Sequence, residues 1–449
     1  MACSSEKIQK SPRVIAPADR ISTLPESLIF HILAFLPTKD AVATSLLSRS
    51  WKSLWTKVAT LNFALIEPEK HDPRRRQAFV HFVDKVLLGN DVECLDKFRL
   101  QWITTHKCQP IHVNWWLSHA IARDVRVLDL HVNSAKYNSQ TELSGKVFIC
   151  ESLECLRLEG PILVKVPDVV SLPLLEQLDL INVKFCYAQC FPKLISSCPV
   201  LHSLKFQECC QLRQQALRVS SPSLRFLEIR LKSQVPLVKK MEIDAPSLES
   251  LKYEDRFGKL CVIERPNFVN RGELSISSCT HSVELCNSIV EMIQALNNIV
   301  SLKLYGSIVK ALSLATIPLS TRFERLTELD VHRECGDWSS LNVMLGCSPN
   351  LRALKITKSK CTQCTHGGCW SDPKEVPMCL FYSLKEISFS NFQGFKHEVA
   401  MIRYVFKHGV VLRRIHLRTG ADDPKEELQI LNKVTVLPRR SFACEIHFN

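Results

Sequence analysis

The segment "SCPVLHSLKF", residues 197–206, contains the pattern that decides the fold of this 449-residue chain. Leu201, Leu204 and Phe206 are apolar at offsets of three and two, and Pro199 stands two residues before the first of them. Proline lacks a backbone donor, so it suits the entry to a β-strand and not its interior. The segment therefore predicts a short strand that follows a turn and directs three apolar side chains inward.

The same apolar-x-x-apolar-x-apolar unit recurs from residue 125 onward, which indicates a repeat architecture. Successive units begin 22 to 33 residues apart, except for one interval of 51 that holds a degenerate copy, "RGELSI", from Arg271. Pro173, Pro222, Pro246 and Pro349 stand at the same offset before four other units. The clear units begin at Val125, Leu153, Leu175, Leu201, Leu224, Leu248, Ile299, Leu326, Leu351, Leu384 and Leu412.

Stacking of these units predicts an α/β solenoid with a parallel sheet, because each coil buries its apolar positions against its neighbours. The stretches between the units have helix-like apolar spacing and return the chain to the next strand. An ordinary α/β domain with alternating strands and helices is the alternative. The pattern resembles the leucine-rich repeat family, in an irregular plant-type variant with Cys198-Pro199 before the strand. That resemblance implies an irregular horseshoe.

Composition narrows the class of protein. With only 13 glycines, the chain is not expected to be a glycine-rich phosphate-binding enzyme, and its 20 cysteines in so long a chain do not indicate a small secreted disulfide framework. The sequence shows neither a secretory signal nor an apolar run that could span a membrane. We therefore expect an intracellular protein, in the cytoplasm, the nucleus or both, without membrane association.

The formal charge of +13 does not by itself predict a nucleic-acid-binding protein. Lysines and arginines are interleaved with acidic residues along the chain, and Arg74-Arg75-Arg76 is the tight cluster. A short basic run of this kind is predicted to be a solvated loop. Binding to nucleic acid is therefore not expected.

Residues 24–55 carry more apolar side chains than so short a segment can bury alone. Pro25 suits the first turn of a helix, apolar residues then recur at helical spacing, and Pro37 ends the run. Thr38 and Ser48 are candidate N-caps for two further helices. Three short helices are therefore predicted, with a surplus of apolar surface that covers either the end of the solenoid or another protein.

This segment resembles a plant F-box over residues 15–62, through Leu24-Pro25, Phe35-Leu36-Pro37-Thr38 and the pair Trp51 and Trp55. It departs from the family at Ser50, where an arginine is usual. The resemblance implies binding to the Skp-type adaptor of an SCF-type ubiquitin ligase and, through it, to cullin and RING subunits. The implied adaptor contacts are Leu24, Pro25, Ile29, Ile32, Leu33, Leu36, Pro37, Val42, Leu46, Leu47, Trp51, Leu54 and Trp55.

The C-terminal stretch resembles the FBD domain that often follows an F-box and leucine-rich repeats. Its pattern predicts a helix leading into a strand, a second helix that ends at Pro438, and a closing strand in which Cys444, Ile446 and Phe448 alternate. The predicted organisation is a flexible N-terminus (1–14), the F-box (15–62), a helical linker or N-terminal cap of the solenoid (63–120), leucine-rich repeats (121–375) and a C-terminal α+β FBD cap with terminal repeats (376–449).

The sequence contains no glycine-rich phosphate loop and no metalloprotease or serine-hydrolase motif, so an enzyme and a cofactor are not expected. Cys361, Cys364, His366 and Cys369 are a weak candidate for zinc, because tetrahedral zinc accepts thiolate and imidazole ligands. Structural zinc sites usually bring two ligand pairs from separated segments. A reduced loop is therefore the prediction, with zinc or a redox-sensitive pair as alternatives.

The predicted function is that of a substrate-recognition subunit of an SCF-type ligase, which presents a target protein on the repeats. Alternatives are a non-ligase leucine-rich-repeat scaffold, a basic nucleic-acid-binding protein, or an enzyme that uses the Cys/His loop. The target is expected on the strand positions between the buried residues. These candidates are Glu154, Arg157, Glu176, Asp179, Lys205, Arg225, Glu228, Lys252, Arg352 and Lys355.

Overall fold

The structure is a computed structural model that describes residues 21–67, 73–104, 110–134, 141–209, 214–231, 238–256, 260–264, 266, 268–277, 282–333, 338–359, 370–420 and 424–448. The predicted flexible N-terminus (1–14) and the first residues of the predicted F-box lie outside this part of the chain. The helices are α1 Glu26–Ala34, α2 Thr38–Ala43, α3 Pro73–Gly89, α4 Pro110–Ile121, α5 Cys190–Ser196, α6 Val283–Ala295, α7 Ile308–Leu314, α8 Ser339–Cys347, α9 Met378–Tyr382, α10 Lys396–His408 and α11 Pro424–Thr435.

Strands make up most of the remaining regular structure, and they are short. They are β1 Thr60–Ile66, β2 Lys97–Thr104, β3 Val127–Ser134, β4 Thr141–Glu142, β5 Cys155–Glu159, β6 Ile162–Val164, β7 Gln177–Ile181, β8 Lys184–Phe185, β9 Ser203–Gln207, β10 Gln214–Ser220, β11 Phe226–Leu231, β12 Val238–Asp244, β13 Ser250–Asp255, β14 Leu260–Glu264, β15 Arg271–Ile276, β16 Ser301–Gly306, β17 Glu328–Arg333, β18 Ala353–Lys358, β19 Glu386–Phe392, β20 Arg414–Thr419 and β21 Glu445–Phe448.

Fifteen strands form one parallel sheet in chain order, which confirms the predicted α/β solenoid. The order is β1-β2-β3-β5-β7-β9-β11-β13-β15-β16-β17-β18-β19-β20-β21. The return paths differ along the stack, since β4-β6-β8 and β10-β12-β14 form two small sheets, whereas helices such as α5 and α8 occupy other coils. Because the chain advances by one strand per coil, every strand of the main sheet contacts only its neighbours.

The register places the repeated apolar residues in two buried columns. Leu204 pairs with Leu178 on one side and with Leu227 on the other, and the next inward position, Phe206, pairs in the same way along the following column. All three leucines are at most 2% exposed. Side chains alternate between the two faces of a strand, so the columns alternate with outward positions. We call the outward side of the main sheet the open face.

The sheet begins earlier than the repeats predicted from residue 121. β1 and β2 belong to it and lie largely in residues 63–120, which were predicted to be a helical linker or cap; α3 and α4 occupy the return paths of those coils. Phe63 and Phe98 stand in the two buried columns, and Trp102 takes the next inward position of β2. The unit is nevertheless present in the sequence from Val58 and from Leu95, so the pattern could have been extended to both.

The degenerate unit at Arg271 forms β15 and is a full member of the sheet. Gly272 takes the position of a leucine, in register with Leu251 and Leu302. A Cβ atom at Gly272 would lie 2.6 Å from Ile299 Cδ1 and 3.3 Å from Leu302 Cδ1. The neighbouring side chains therefore fill the space that a leucine would occupy, and the glycine keeps the layer at normal packing density.

The two ends of the sheet are built differently. At the first strand, the N–H of Asn62 donates to Oγ1 of the buried Thr38 at 2.6 Å, so α2 covers part of the edge of β1. At the other end, the predicted α+β FBD cap continues the same sheet, because β19, β20 and β21 pair in parallel with one another and with β18. The C-terminal region therefore extends the α/β stack, and α10 and α11 supply its return paths.

A buried ion pair joins the last repeats to α10. Lys358 Nζ lies 2.6 Å from Glu398 Oε1 and donates to Gln393 Oε1 at 2.7 Å, and both charged side chains are almost completely buried. The second carboxylate oxygen of Glu398 accepts the backbone N–H groups of Gln393 and Phe395. Every oxygen of the carboxylate thus has a partner, which is the condition under which a buried charge is tolerated.

Candidate functional site

The N-terminal module has a small hydrophobic core of its own. Ile29, Leu33, Trp51 and Leu54 are buried in it together with Ala41 and Val58, and the indole N–H of Trp51 donates to Ser22 Oγ at 2.7 Å. These four residues were predicted to contact a partner, and the structure corrects that prediction, because their side chains hold the module together. The predicted third helix is also absent from the described residues, where 3-10 turns at Thr44–Leu46 and Leu54–Lys57 follow α2.

A second set of predicted contacts faces the solenoid. Val42 and Trp55 pack against the main core, and a Cβ atom on Gly89 would lie 3.2 Å from the Trp55 ring. Trp55 therefore seats the module on α3 and leaves little of its surface for a partner. Leu24 and Leu36 are half-buried against the module core, whereas Pro25 and Pro37 are exposed.

Five of the exposed apolar residues of the module are what we call the F-box face: Leu28, Ile32, Phe35, Leu46 and Leu47. Their exposed fractions are 50%, 44%, 78%, 87% and 70%, respectively. The first three recur at offsets of four and three along α1 and its C-cap residue, Phe35, so they share one side of that helix. Leu28 and Phe35 were missing from the predicted contacts, although their helical spacing with Ile32 was the signal that could have identified them.

The open face carries a second feature, an alternating charge column. One outward position of each strand of the main sheet from β2 to β18 is charged, with the sign changing at every step. The column reads Arg99, Asp129, Arg157, Asp179, Lys205, Glu228, Lys252, Glu273, Lys303, Asp330 and Lys355.

Neighbours in the alternating charge column make ion pairs across adjacent strands. Arg99 lies 3.1 Å from Asp129, and Glu228 is within reach of Lys205 on one side (3.2 Å) and Lys252 on the other (3.7 Å). These side chains are partly buried, so water screens them less than isolated surface charges. Opposite charges directly across a strand pair also favour the observed register.

The column changes the interpretation of the predicted target-binding residues. Six of them, Arg157, Asp179, Lys205, Glu228, Lys252 and Lys355, belong to it and are positioned to neutralise one another. The other four, Glu154, Glu176, Arg225 and Arg352, stand just before their strands. Two of these make short ion pairs, between Arg126 and Glu154 at 2.8 Å and between Arg225 and Glu249 at 2.7 Å. The hydrogen bonds that Arg157 donates to Glu159 and that Arg225 donates to Glu249 raise the pKa of both guanidinium groups.

Four cysteines of the described coils behave as small apolar side chains. Burial raises the pKa of Cys155 to about 11 and the pKa of Cys198, Cys261 and Cys379 to about 12. A thiol with so high a pKa stays protonated near neutral pH and is a poor nucleophile. These cysteines therefore contribute packing and not chemistry.

The remaining predicted features have different outcomes. Cys361, Cys364, His366 and Cys369 lie outside the described residues, and the described part of the chain contains no group of three or more potential metal ligands. The basic cluster Arg74-Arg75-Arg76 is in the first turn of α3 and not in a loop, and Arg76 Nε lies 3.6 Å from Glu67 Oε1. Among the described helices, none has the length and apolar content to cross a bilayer.

Two family models match this chain. Residues 21–62 match the model described as "F-box domain", and residues 89–442 match the model described as "At1g61320/AtMIF1, LRR domain". The first match ends at the start of the solenoid, within β1, and the second begins at the end of α3. Their order along the chain agrees with the module and the solenoid seen in the structure.

Relatives from Arabidopsis thaliana align with almost the whole chain. "Probable FBD-associated F-box protein At1g32375" is 29% identical over 440 residues, which cover 96% of this chain and 100% of the relative. "F-box/FBD/LRR-repeat protein At3g52680" is 29% identical over 453 residues, or 97% of this chain and 94% of the relative. "F-box/LRR-repeat protein 13" is 28% identical over 446 residues, or 95% and 96% of the two chains.

Proposed function

Because the chain belongs to the plant F-box/FBD/leucine-rich-repeat family, we propose that it is the substrate-recognition subunit of an SCF-type ubiquitin ligase. The F-box face would dock on the Skp-type adaptor, which links the chain to cullin and RING subunits. The repeats would hold the target protein inside the cell, in the cytoplasm, the nucleus or both. The observation that carries this proposal is the exposed apolar surface of Leu28, Ile32, Phe35, Leu46 and Leu47.

The F-box face places five large apolar side chains, each at least 44% exposed, on one short module. Exposed apolar side chains that cluster mark sites of interaction on soluble proteins, and large side chains at the centre of an interface supply most of the binding energy. Burying one leucine, isoleucine or phenylalanine side chain contributes roughly 1.5–3 kcal/mol. Phe35 and Leu46, the most exposed of the five, are therefore expected to contribute most.

The attachment of the module gives the proposed assembly a defined geometry. Thr38 bonds to β1, and Val42 and Trp55 pack on the solenoid core, so the F-box face and the open face belong to one packed body. A rigid connection holds a bound target at a set distance from the ligase subunits and raises its local concentration there. In this proposal the chain itself contributes no catalytic group and needs no cofactor.

The proposal is tested by recovery of the Skp-type adaptor on the purified full chain. Changing Phe35→Glu together with Leu46→Glu should reduce recovered adaptor at least tenfold, because two charges would have to be buried in an apolar interface. The matched control is Val169→Glu with Val436→Glu, which places the same charges at similarly exposed apolar positions (72% and 77%) outside the module.

The control pair should recover as much adaptor as the wild type, and both variants should keep the wild-type melting temperature. Failure of the wild type to recover adaptor would contradict the proposal and favour a non-ligase repeat scaffold. Equal recovery by wild type and by the F-box-face variant would show that another surface binds the adaptor.

A further inference from the structure

The alternating charge column stops at β18. In register after Lys355, the same outward position is occupied by Ser388, His416 and His447. No carboxylate follows Lys355 in this column, although the buried columns continue unchanged through β19 and β20, with Ile387, Ile415 and their neighbours fully buried. The outward position therefore changes from alternating charges to serine and histidine, while the buried apolar packing of the sheet stays the same.

Six exposed cations surround this point, and we call them the C-terminal basic surface. They are on β18 and β20 or immediately before β18, β19 and β20: Arg352, Lys355, Lys385, Arg413, Arg414 and Arg418. On the same three strands, the outward positions carry one carboxylate, Glu386, which accepts a hydrogen bond from Arg414 at 2.9 Å and lies 3.4 Å from His416 Nε2.

The charges of the C-terminal basic surface are mostly unneutralised. Lys355 lies 3.7 Å from Asp330, but no carboxylate of the described residues lies within 4 Å of Arg352, Lys385, Arg413 or Arg418. By contrast, Arg157 in the middle of the sheet lies within 4 Å of three carboxylates, those of Asp129, Glu159 and Asp179.

Hydroxyl groups lie between these cations. Thr357, Ser388 and Ser390 occupy outward positions of β18 and β19 and are half-buried. Guanidinium and hydroxyl groups together suit carboxylate oxygens, since arginine can bind a carboxylate through two parallel hydrogen bonds. The outward positions of β18–β20 carry no phenylalanine, tyrosine or tryptophan on which nucleic-acid bases could stack.

From this arrangement we propose that the C-terminal basic surface binds an extended acidic segment of the target protein. The proposal rests on the function proposed above and adds the chemistry of the target. Unpaired cations on adjacent strands attract an acidic chain over a distance set by the salt concentration. The middle strands would contribute little to this attraction, because their charges already neutralise one another.

The test measures binding of a fluorescein-labelled peptide of alternating Glu and Ser to the purified full chain by anisotropy. The variant Arg352→Glu with Arg413→Glu should weaken binding at least tenfold, and it disrupts no ion pair of the described residues. The matched control, Lys310→Glu with Lys407→Glu, changes the net charge equally at exposed positions on α7 and α10 and should bind within twofold of the wild type.

The outcomes separate this proposal from its alternatives. A peptide with Gln in place of Glu should bind at least tenfold more weakly to the wild type. Equal loss of peptide binding in both variants would show that only net charge matters and would overturn the proposal. Absence of binding of the acidic peptide to the wild type would also overturn it. Tighter binding of single-stranded RNA or of anionic vesicles, lost in the same variant, would assign the surface to those partners. The measurement needs no adaptor, so its failure is distinguishable from failure of the pull-down.

Discussion

The middle and the last strands of the main sheet bury the same kind of apolar side chains but differ in the charges of their outward positions. Both regions bury two apolar columns in register, for example at Leu204 and at Ile387. On the open face, the middle strands alternate cations with carboxylates, whereas β18–β20 and the residues just before them place six cations around Glu386. The buried columns therefore fix the fold, and the outward positions are free to differ in charge.

The largest effect on stability is expected from removing the buried carboxylate of Glu398, which lies beside the last strands. Glu398→Ala removes the counterion of the buried Lys358, which should lower the free energy of unfolding by about 3–5 kcal/mol. Hydrogen exchange should show faster exchange of β18–β20 amides, while β5–β13 keep their protection. Replacing both partners by methionine should restore most of the stability, and a single-variant loss below about 1 kcal/mol would show that the pair is not needed.

A smaller effect is expected from disturbing the inside of the middle strands. Gly272→Leu would place a side chain where a Cβ atom already meets Ile299 at 2.6 Å, so it should cost about 1–3 kcal/mol in urea denaturation. Gly346→Ala is the matched control, because nothing lies within 4 Å of its added Cβ and alanine is a better helix former.

The control should gain about 0.5–1 kcal/mol, since Gly346 lies in α8. An unchanged free energy of unfolding for Gly272→Leu would mean that the neighbouring side chains move to accept the leucine. The degenerate unit would then not depend on its glycine.

The smallest effect on stability is expected from removing one carboxylate of the alternating charge column. Glu228→Gln removes the carboxylate between Lys205 and Lys252 and should cost only about 0.5–1 kcal/mol, because these pairs are partly exposed. It also leaves two adjacent cations without their shared partner. Glu228 on β11 is five strands away from β18, farther than charges act at physiological salt, so binding of the acidic peptide should stay within about twofold of the wild type. Markedly tighter binding would place the peptide on the middle strands.

The N-terminal module illustrates how much of a site can be predicted from a sequence. Its position, its first two helices and its surplus of apolar residues follow from the pattern between Leu24 and Trp55. The assignment of each residue to the core or to the surface does not follow, and Trp51 was predicted to be outside although it is buried. Apolar side chains on several sides of short helices do not reveal which side another element will cover.

The start of the sheet shows a different limit. β1 and β2 follow the repeat unit, but the long helices α3 and α4 occupy the return paths of these two coils. The residues at the end of the chain were predicted to form an α+β FBD cap with terminal repeats, and their strands continue the stack. In both cases the local pattern was present, and membership of one sheet was decided by packing between coils.

The solenoid follows from the sequence alone, since a repeated spacing of three apolar residues is buried when successive coils stack into one parallel sheet. The sequence also determined the F-box resemblance and the alternation of buried and outward positions along each strand. Only the tertiary structure decided which outward residues meet. Arg157 and Asp179 are neighbours because two coils stack in register, although 21 residues separate them along the chain. Lateral pairing across parallel strands joins positions a full coil apart, so the contrast between neutral and basic surfaces exists only in the folded sheet.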